Sequence, residues 1–190
     1  MIEGTLNDKS AVVDILTKSF ELNKSVNYIV NQDRDKLKRL QLLMEYSFYI
    51  CQQSGDIFLS DNRKGCALLL YPDKKKASLR SIFWDLKLAL FSVGLRNIPK
   101  TLRREAEIKK RHPNRPFAYL WFIGVQPSAQ GMGVGSSLLN QVLKHAADQN
   151  RDVFLETSTL ANLPWYEKFG FQTYDELDLG YKLFFLKWHR

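Results

Sequence analysis

Cysteine is scarce. The 190 residues hold two, Cys51 and Cys66, and they do not form a Cys-x-x-Cys pair. That spacing excludes a disulfide framework and reads as two buried thiols in a reducing, cytoplasmic setting. The three histidines, His112, His145 and His189, lie far apart, with no His-Glu-x-x-His or Cys/His ligand spacing, so no metal site is expected. No window reaches the ~18 uninterrupted apolar residues of a membrane helix, so no membrane partner is expected either. Met1 to Ser10 is polar and lacks the apolar segment of a signal peptide. There is no Gly/Ser/Pro-rich linker, low-complexity tract or internal repeat. The length therefore points to one domain, 1–190, with a sizeable core. A composition of 45% hydrophobic and 25% charged residues is that of an ordinary globular chain.

Negative charge is the other shortage: 20 Asp and Glu face 28 Lys and Arg, a net charge of +8. Such a balance suits anionic partners of any size, from a phosphorylated cofactor to a nucleic acid. The basic residues are densest from Arg96 to Arg115, including Lys100, Arg103, Arg104, Lys109, Lys110 and Arg111. The simplest reading is a solvated helix face. Nucleic acid or an acidic partner is the sharper and disfavoured alternative.

Periodicity divides the chain into alternating elements. Ile2 to Leu6 suits a short strand, and Asn7 or Asp8 can cap a helix to about Leu22 on the stripe Val12, Val13, Ile15, Leu16 and Phe20. Leu37, Leu40, Met44, Phe48 and Cys51 mark a second helix over 36–53, ended by Gly55. Asp56–Ser60 and Cys66–Tyr71 read as strands joined by a turn. The pattern Leu79, Ile82, Phe83, Leu86, Leu90 and Val93, closed by Gly94, is an amphipathic helix. Its aromatics either pack into the core or form a lid over a binding site. Phe117 to Val125 suits a central strand, 153–157 another, Leu163 to Phe169 a short helix, and 171–179 with 181–188 a closing antiparallel pair joined at Gly180. The order βααββααβαβαββ indicates an α/β fold with a mixed, largely antiparallel sheet.

Chemistry concentrates where the central strand ends. Gly131, Gly133 and Gly135 alternate just before an amphipathic helix through Leu138, Leu139, Val142, Leu143 and Ala146. Glycine lets backbone approach a ligand closely, and a helix start offers unpaired N–H groups and partial positive charge. Together they suit a phosphate or pyrophosphate. A Walker A loop is excluded because no Lys follows the glycines. A dinucleotide fingerprint fits poorly: Ser136 stands where its last glycine belongs, and four residues separate the strand from Gly131, although Glu156 sits near the distance of the ribose-binding acid.

The segment Val125-x-Pro127-x-x-Gln130-Gly131-x-Gly133-x-Gly135 resembles the acyl-CoA loop of the GNAT superfamily of N-acetyltransferases, whose core is Gln/Arg-x-x-Gly-x-Gly/Ala. A second segment, Asn162-Leu-Pro-Trp-Tyr166-Glu-Lys-Phe-Gly170-Phe171, resembles the family's later Asn…Tyr-x-x-x-Gly-Phe segment, and Leu155-Glu-Thr-Ser158 before it is typical of one branch. The resemblance is specific over about 117–171. It implies a GNAT-like sheet flanked by helices; the helical insertion between strands 3 and 4 is larger than a minimal member of that family needs. The parts are an N-terminal half (1–72), the insertion (73–116) and a CoA-binding core (117–190).

The resemblance also implies roles. Acetyl-CoA would be the co-substrate, held by Ile123, Gly124 and Val125 on strand four, by Gln130, Gly131, Met132, Gly133, Val134, Gly135 and Ser136 in the loop, and by Asn162 on its pantetheine arm. Asn162 could equally cap the helix that begins after it. Tyr166 matches the family's general acid, a phenol that stays protonated at neutral pH; otherwise it is a core residue beside Trp165 and Phe169. Many relatives carry a Glu or His base on strand four, and 117–125 carries neither, leaving Tyr119, Glu156 or water as substitutes. Glu156 also reads as a salt-bridged acid. The expected activity is acetyl transfer from acetyl-CoA to a primary amine of a small molecule, by direct attack in a ternary complex. Protein or peptide acetylation and a non-catalytic acyl-CoA sensor are the rival readings. A homodimer is compatible with the sequence.

Overall fold

The computed structural model describes residues 1–76 and 78–190. Strand β1 (Ile2–Glu3) is followed by helices α1 (Lys9–Phe20), α2 (Lys24–Ile29) and α3 (Lys36–Ser54). Strands β2 (Gly55–Leu59) and β3 (Gly65–Leu70) lead into an insertion of α4 (Leu79–Leu88), a wide π turn (Ala89–Val93) and α5 (Ile98–Arg111). The rest is β4 (Ala118–Val125), α6 (Val134–Asp148), β5 (Val153–Thr157), α7 (Leu163–Glu167), β6 (Gln172–Asp178) and β7 (Lys182–Trp188). The seven strands form one sheet in the order β1-β2-β3-β4-β5-β7-β6. Every neighbouring pair is antiparallel except β4 and β5. The expected α/β class, the largely antiparallel sheet and the helical insertion between β3 and β4 are all present.

Helices cover both faces, which is why β3 (Gly-Cys-Ala-Leu-Leu-Leu) is buried at every position rather than alternating. On one face α1 and α3 bury Ile15, Leu16, Leu40, Met44 and Phe48 against Leu68 and Leu70. On the other α6 buries Leu138, Leu139 and Val142 against Leu69, Leu120 and Leu155. Cys51 and Cys66 are free and fully buried in the first layer. Burial pushes both thiols well above their usual range, so they stay protonated.

Several expectations need correction. The first strand stops at Glu3, because Thr5 turns the chain and donates from both its amide and its hydroxyl to Asp8, at 2.9 and 2.8 Å. Neither Asn7 nor Asp8 caps α1 with its side chain. Helix α2 escapes a periodicity search because it is only six residues long; Asn23 caps it, accepting from the Val26 amide at 3.0 Å. The last two strands pair as expected, yet β7 crosses to lie between β5 and β6. The stripe on α4 faces the opposite way from a core-packing helix. Leu79, Ile82, Phe83, Leu86 and Leu90 are exposed. Trp84 turns inward to stack on Tyr49 at 5.2 Å, and Asp85 accepts a 2.6 Å bond from Tyr46. Each outward side chain forgoes the ~1.5–3 kcal/mol that burial would contribute.

Two irregularities open the centre of the sheet. In β4, Leu68 pairs with Phe122 but Leu69 with Leu120, so Trp121 is an extra residue. This bulge breaks the alternation, and Trp121 and Phe122 both turn toward the α1/α3 layer. Strands β4 and β5 meet only at Ala118↔Val153 and Tyr119↔Phe154, and beyond those pairs they part.

Helix α3 passes into β2 with no intervening residue, and Gly55 is the junction. A Cβ there would sit 2.0 Å from the Leu69 carbonyl oxygen. Gly55→Ala is expected to lower stability by about 2–3 kcal/mol or more, because backbone rather than a flexible side chain must move. Chemical denaturation checks this, and an unchanged midpoint would show that the junction relaxes freely.

Candidate active site

Two cavities open where β4 and β5 separate. The larger, about 620 Å³, runs from strand β4 to the glycine loop; the smaller, about 300 Å³, lies under the insertion. Phe20, Asn23, Ile123, Asn162 and Tyr166 line both, so they form one continuous cleft with a waist at those residues. Helix α2 closes the gap between the strands, with the Ser25 amide donating to Ser158 Oγ at 3.2 Å.

The larger cavity is bordered by left-handed glycine backbone and by the start of α6. Gly131 (φ +75°) and Gly133 (φ +79°) hold left-handed backbone, which costs an ordinary residue about 1–2 kcal/mol. A Cβ at either would meet nothing within 4 Å, so conformation and not crowding requires glycine here. Gly133 is the N-cap of α6, no side chain caps the helix, and the first helical bond is Ser137 N–H to Gly133 C=O at 2.9 Å. The amides of Gly131 through Ser136 find no acceptor among the described residues. Unpaired amides at a helix N-terminus fit the pyrophosphate of an acyl-CoA. At Gly135 a Cβ would make ordinary contacts with Val125 and Trp165 at 3.4 and 3.7 Å, so neither backbone conformation nor crowding demands glycine there. Trp165 fixes the first turn of α6 from α7 by donating to Ser136 Oγ at 3.1 Å.

The remaining expected residues divide by role. Gln130 donates to the Val125 carbonyl at 3.2 Å and so ties the loop to β4. The Met132 side chain is exposed, while Gln130 and Val134 line the larger cavity. Gly124 admits α1: a Cβ would come within 2.9 Å of Ser19 Oγ, which donates to Val125 C=O at 2.9 Å. Ile123, Gly124 and Val125 present β4 along the larger cavity. Asn162 occupies the cap position of α7 but makes no capping bond, which removes the helix-cap reading and leaves its amide facing the cleft. Tyr166 packs its ring on Trp165 and Phe171 at 4.7 and 5.4 Å. Its hydroxyl has no hydrogen bond among the described residues, and burial pushes the phenol well above its usual range, so it stays protonated.

The smaller cavity carries a cluster that the sequence did not disclose. Glu156 on β5 is deeply buried, and both its oxygens are engaged: Tyr119 donates to one at 2.5 Å, and His112 Nε2 lies 2.8 Å from the other. Burial, and then the Glu156 charge, push the Tyr119 phenol well above its usual range. His112 packs edge-on against Phe117 and tilted against Tyr119, with ring centroids 5.1 and 5.0 Å away. Glu156 was foreseen as a substitute base or as a solvent-facing or salt-bridged acid; its partner His112 was not foreseen, since the two lie on α5's C-cap and on β5. Arg104 also turns inward, donating to Ser25 Oγ at 2.6 Å and to the Tyr181 hydroxyl at 3.2 Å and pairing with Glu105. The basic stretch is therefore not uniformly solvated. Tyr46, Tyr119, Trp121 and Phe122 supply aromatic walls.

Residues 97–171 match the family model described as acetyltransferase (GNAT) family. Over 173 residues the chain is 26% identical to an uncharacterized N-acetyltransferase of Schizosaccharomyces pombe, covering 86% of this chain and 70% of that one. The fold is similar to that of a Corynebacterium glutamicum protein described as histone acetyltransferase HPA2 and related acetyltransferase. That similarity has a TM-score of 0.71 and 22% identity and covers 98% and 93% of the two chains. It is also similar to arylalkylamine N-acetyltransferase 2 of Aedes aegypti, with a TM-score of 0.66, 15% identity and coverage of 99% and 97%. The segment that matches the acetyltransferase (GNAT) family, 97–171, is the one that carries the open β4–β5 junction and the uncapped glycine-led helix.

Proposed function

We propose that this chain is a single-domain N-acetyltransferase, 1–190, that moves an acetyl group from acetyl-CoA to the primary amine of a small, aromatic molecule. The observation that carries the reading is the cleft itself. A phosphate cradle lies at one end, a buried carboxylate at the other, and Asn162 and Tyr166 stand at the waist. When bound, acetyl-CoA supplies the activated thioester. The amides of residues 131–136 hold its pyrophosphate, strand β4 at Ile123 to Val125 aligns the thioester arm and polarises the acyl oxygen, and Asn162 orients the pantetheine amides. The acceptor amine enters the smaller cavity and gives up a proton to Glu156, whose carboxylate is fixed by Tyr119 and His112. A new N–C bond forms as the C–S bond breaks, and the Tyr166 hydroxyl donates toward the departing sulfur. No covalent enzyme intermediate is needed, and neither buried cysteine takes part.

A small acceptor is favoured over a protein chain because the insertion walls the smaller cavity with Leu88, Val93, Thr101 and Glu105. Of the two readings of the helix over 79–93, core packing or a lid over the acceptor site, we adopt the lid, carried by Leu88 and Val93 on its inner face. No helix among the described residues is long and apolar enough to cross a membrane, and we place the reaction in the cytoplasm.

Tyr166→Phe removes only the hydroxyl. It is expected to lower kcat about 10²-fold with acetyl-CoA affinity unchanged. Steady-state kinetics on an aromatic amine panel beside a titration check this, and unchanged turnover would remove Tyr166 from the chemistry. Glu156→Gln keeps acceptors for Tyr119 and is expected to lower kcat/KM by a similar factor without loss of stability. Glu156→Leu strands the buried Tyr119 hydroxyl and is expected to cost about 1–3 kcal/mol as well. If Gln at 156 kept full activity while Leu destabilised, Glu156 would be structural only.

A further inference from the structure

Of the large apolar side chains exposed among the described residues, most lie in one place: the insertion. On α4, Leu79, Ile82, Phe83 and Leu86 recur at helical spacing and all face solvent, and Leu90 and Phe91 extend the stripe into the π turn. Leu79 is 89% exposed and Phe83 61%. The opposite side of the helix is already anchored: Trp84 stacks on Tyr49, Asp85 receives Tyr46 and Leu88 joins the α1/α3 core layer. The stripe is therefore a second apolar face, unexplained by packing within the chain. Contiguous exposed apolar surface of this kind marks an interaction site.

Charge decides the occupant. Residues 74–104 contain nine Lys and Arg and one acid, Asp85, which is held by Tyr46. Lys74, Lys75, Lys76, Arg80 and Arg96 are exposed around the stripe, and Lys87 lies over the Trp84 ring on its flank. A second copy of the chain would bring one set of cations against another and meet repulsion. A nucleic acid offers the charge but no apolar layer for Phe83 and Leu86. An anionic bilayer offers both: phosphate-bearing headgroups for the Lys/Arg rim and an acyl boundary for a Leu/Ile/Phe face.

We propose that the insertion docks in the plane of an anionic lipid surface through the outward face of α4. The chain does not span the bilayer; the stripe enters the headgroup boundary and the basic rim stays among the headgroups. This departs from the expectation of no membrane partner, which rested on the absence of a spanning segment. It is independent of the catalytic reading, since none of the stripe residues has been given a role in the cleft.

Flotation of the full chain tests it, using phosphatidylcholine vesicles with and without phosphatidylserine. Binding is expected to be at least about tenfold tighter with phosphatidylserine and to weaken in high salt. The exposed pair Phe83→Ser/Leu86→Ser is expected to abolish flotation while keeping the thermal midpoint and turnover of the parent. No flotation at low salt would overturn the proposal, as would flotation that survives the paired substitution. A concentration-dependent dimer lost in the paired variant, without vesicle binding, would assign the face to a second copy instead.

Discussion

The site depends on one failure of pairing. Parallel strands β4 and β5 share two register positions and then diverge. A sheet that stayed closed would bury the edges of both strands and leave no cleft. Held apart, they leave β4 lining both cavities and β5 lining the smaller one, with Tyr166 of α7 against the gap. The bulge at Trp121 adds to this, because it turns two consecutive aromatic side chains to the α1/α3 side and leaves Ile123 at the waist. The separation is stabilised on either side: β3 pairs along β4 and β7 along β5, so neither strand loses both neighbours.

The cradle was legible in the sequence because it is local. Its glycines are close together, two adopt positive φ, and the helix after them announces itself by periodicity. Helices α1, α3 and α6 were legible for the same reason. The carboxylate cluster was not. Tyr119, His112 and Glu156 come from a central strand, a helix end and the next strand, and only the first β4–β5 contacts bring them together. No spacing rule reports such a meeting. The direction of α4 was also hidden. Periodicity shows that a helix has an apolar face but not which way the face turns. Here the inward anchors are a stacked indole and a carboxylate–phenol bond rather than the aliphatic stripe.

The insertion thus has two jobs written on two faces. Its inner side completes the smaller cavity with Leu88 and Val93, and through α5 it delivers Arg104 and His112 to buried positions. Its outer side carries unburied leucine, isoleucine and phenylalanine among lysine and arginine. The overall charge of +8 is accordingly not one property. Part of it is turned into the protein, and part stands around an apolar stripe.

Everything proposed for the cleft requires that it bind a CoA thioester through the amides of residues 131–136. The most direct measurement is an amide-resolved NMR titration with CoA. One-to-one binding is predicted, with the largest shifts at Gly131, Gly133, Gly135 and Ser136. The absence of binding, or shifts that leave the glycine loop unmoved, would contradict it.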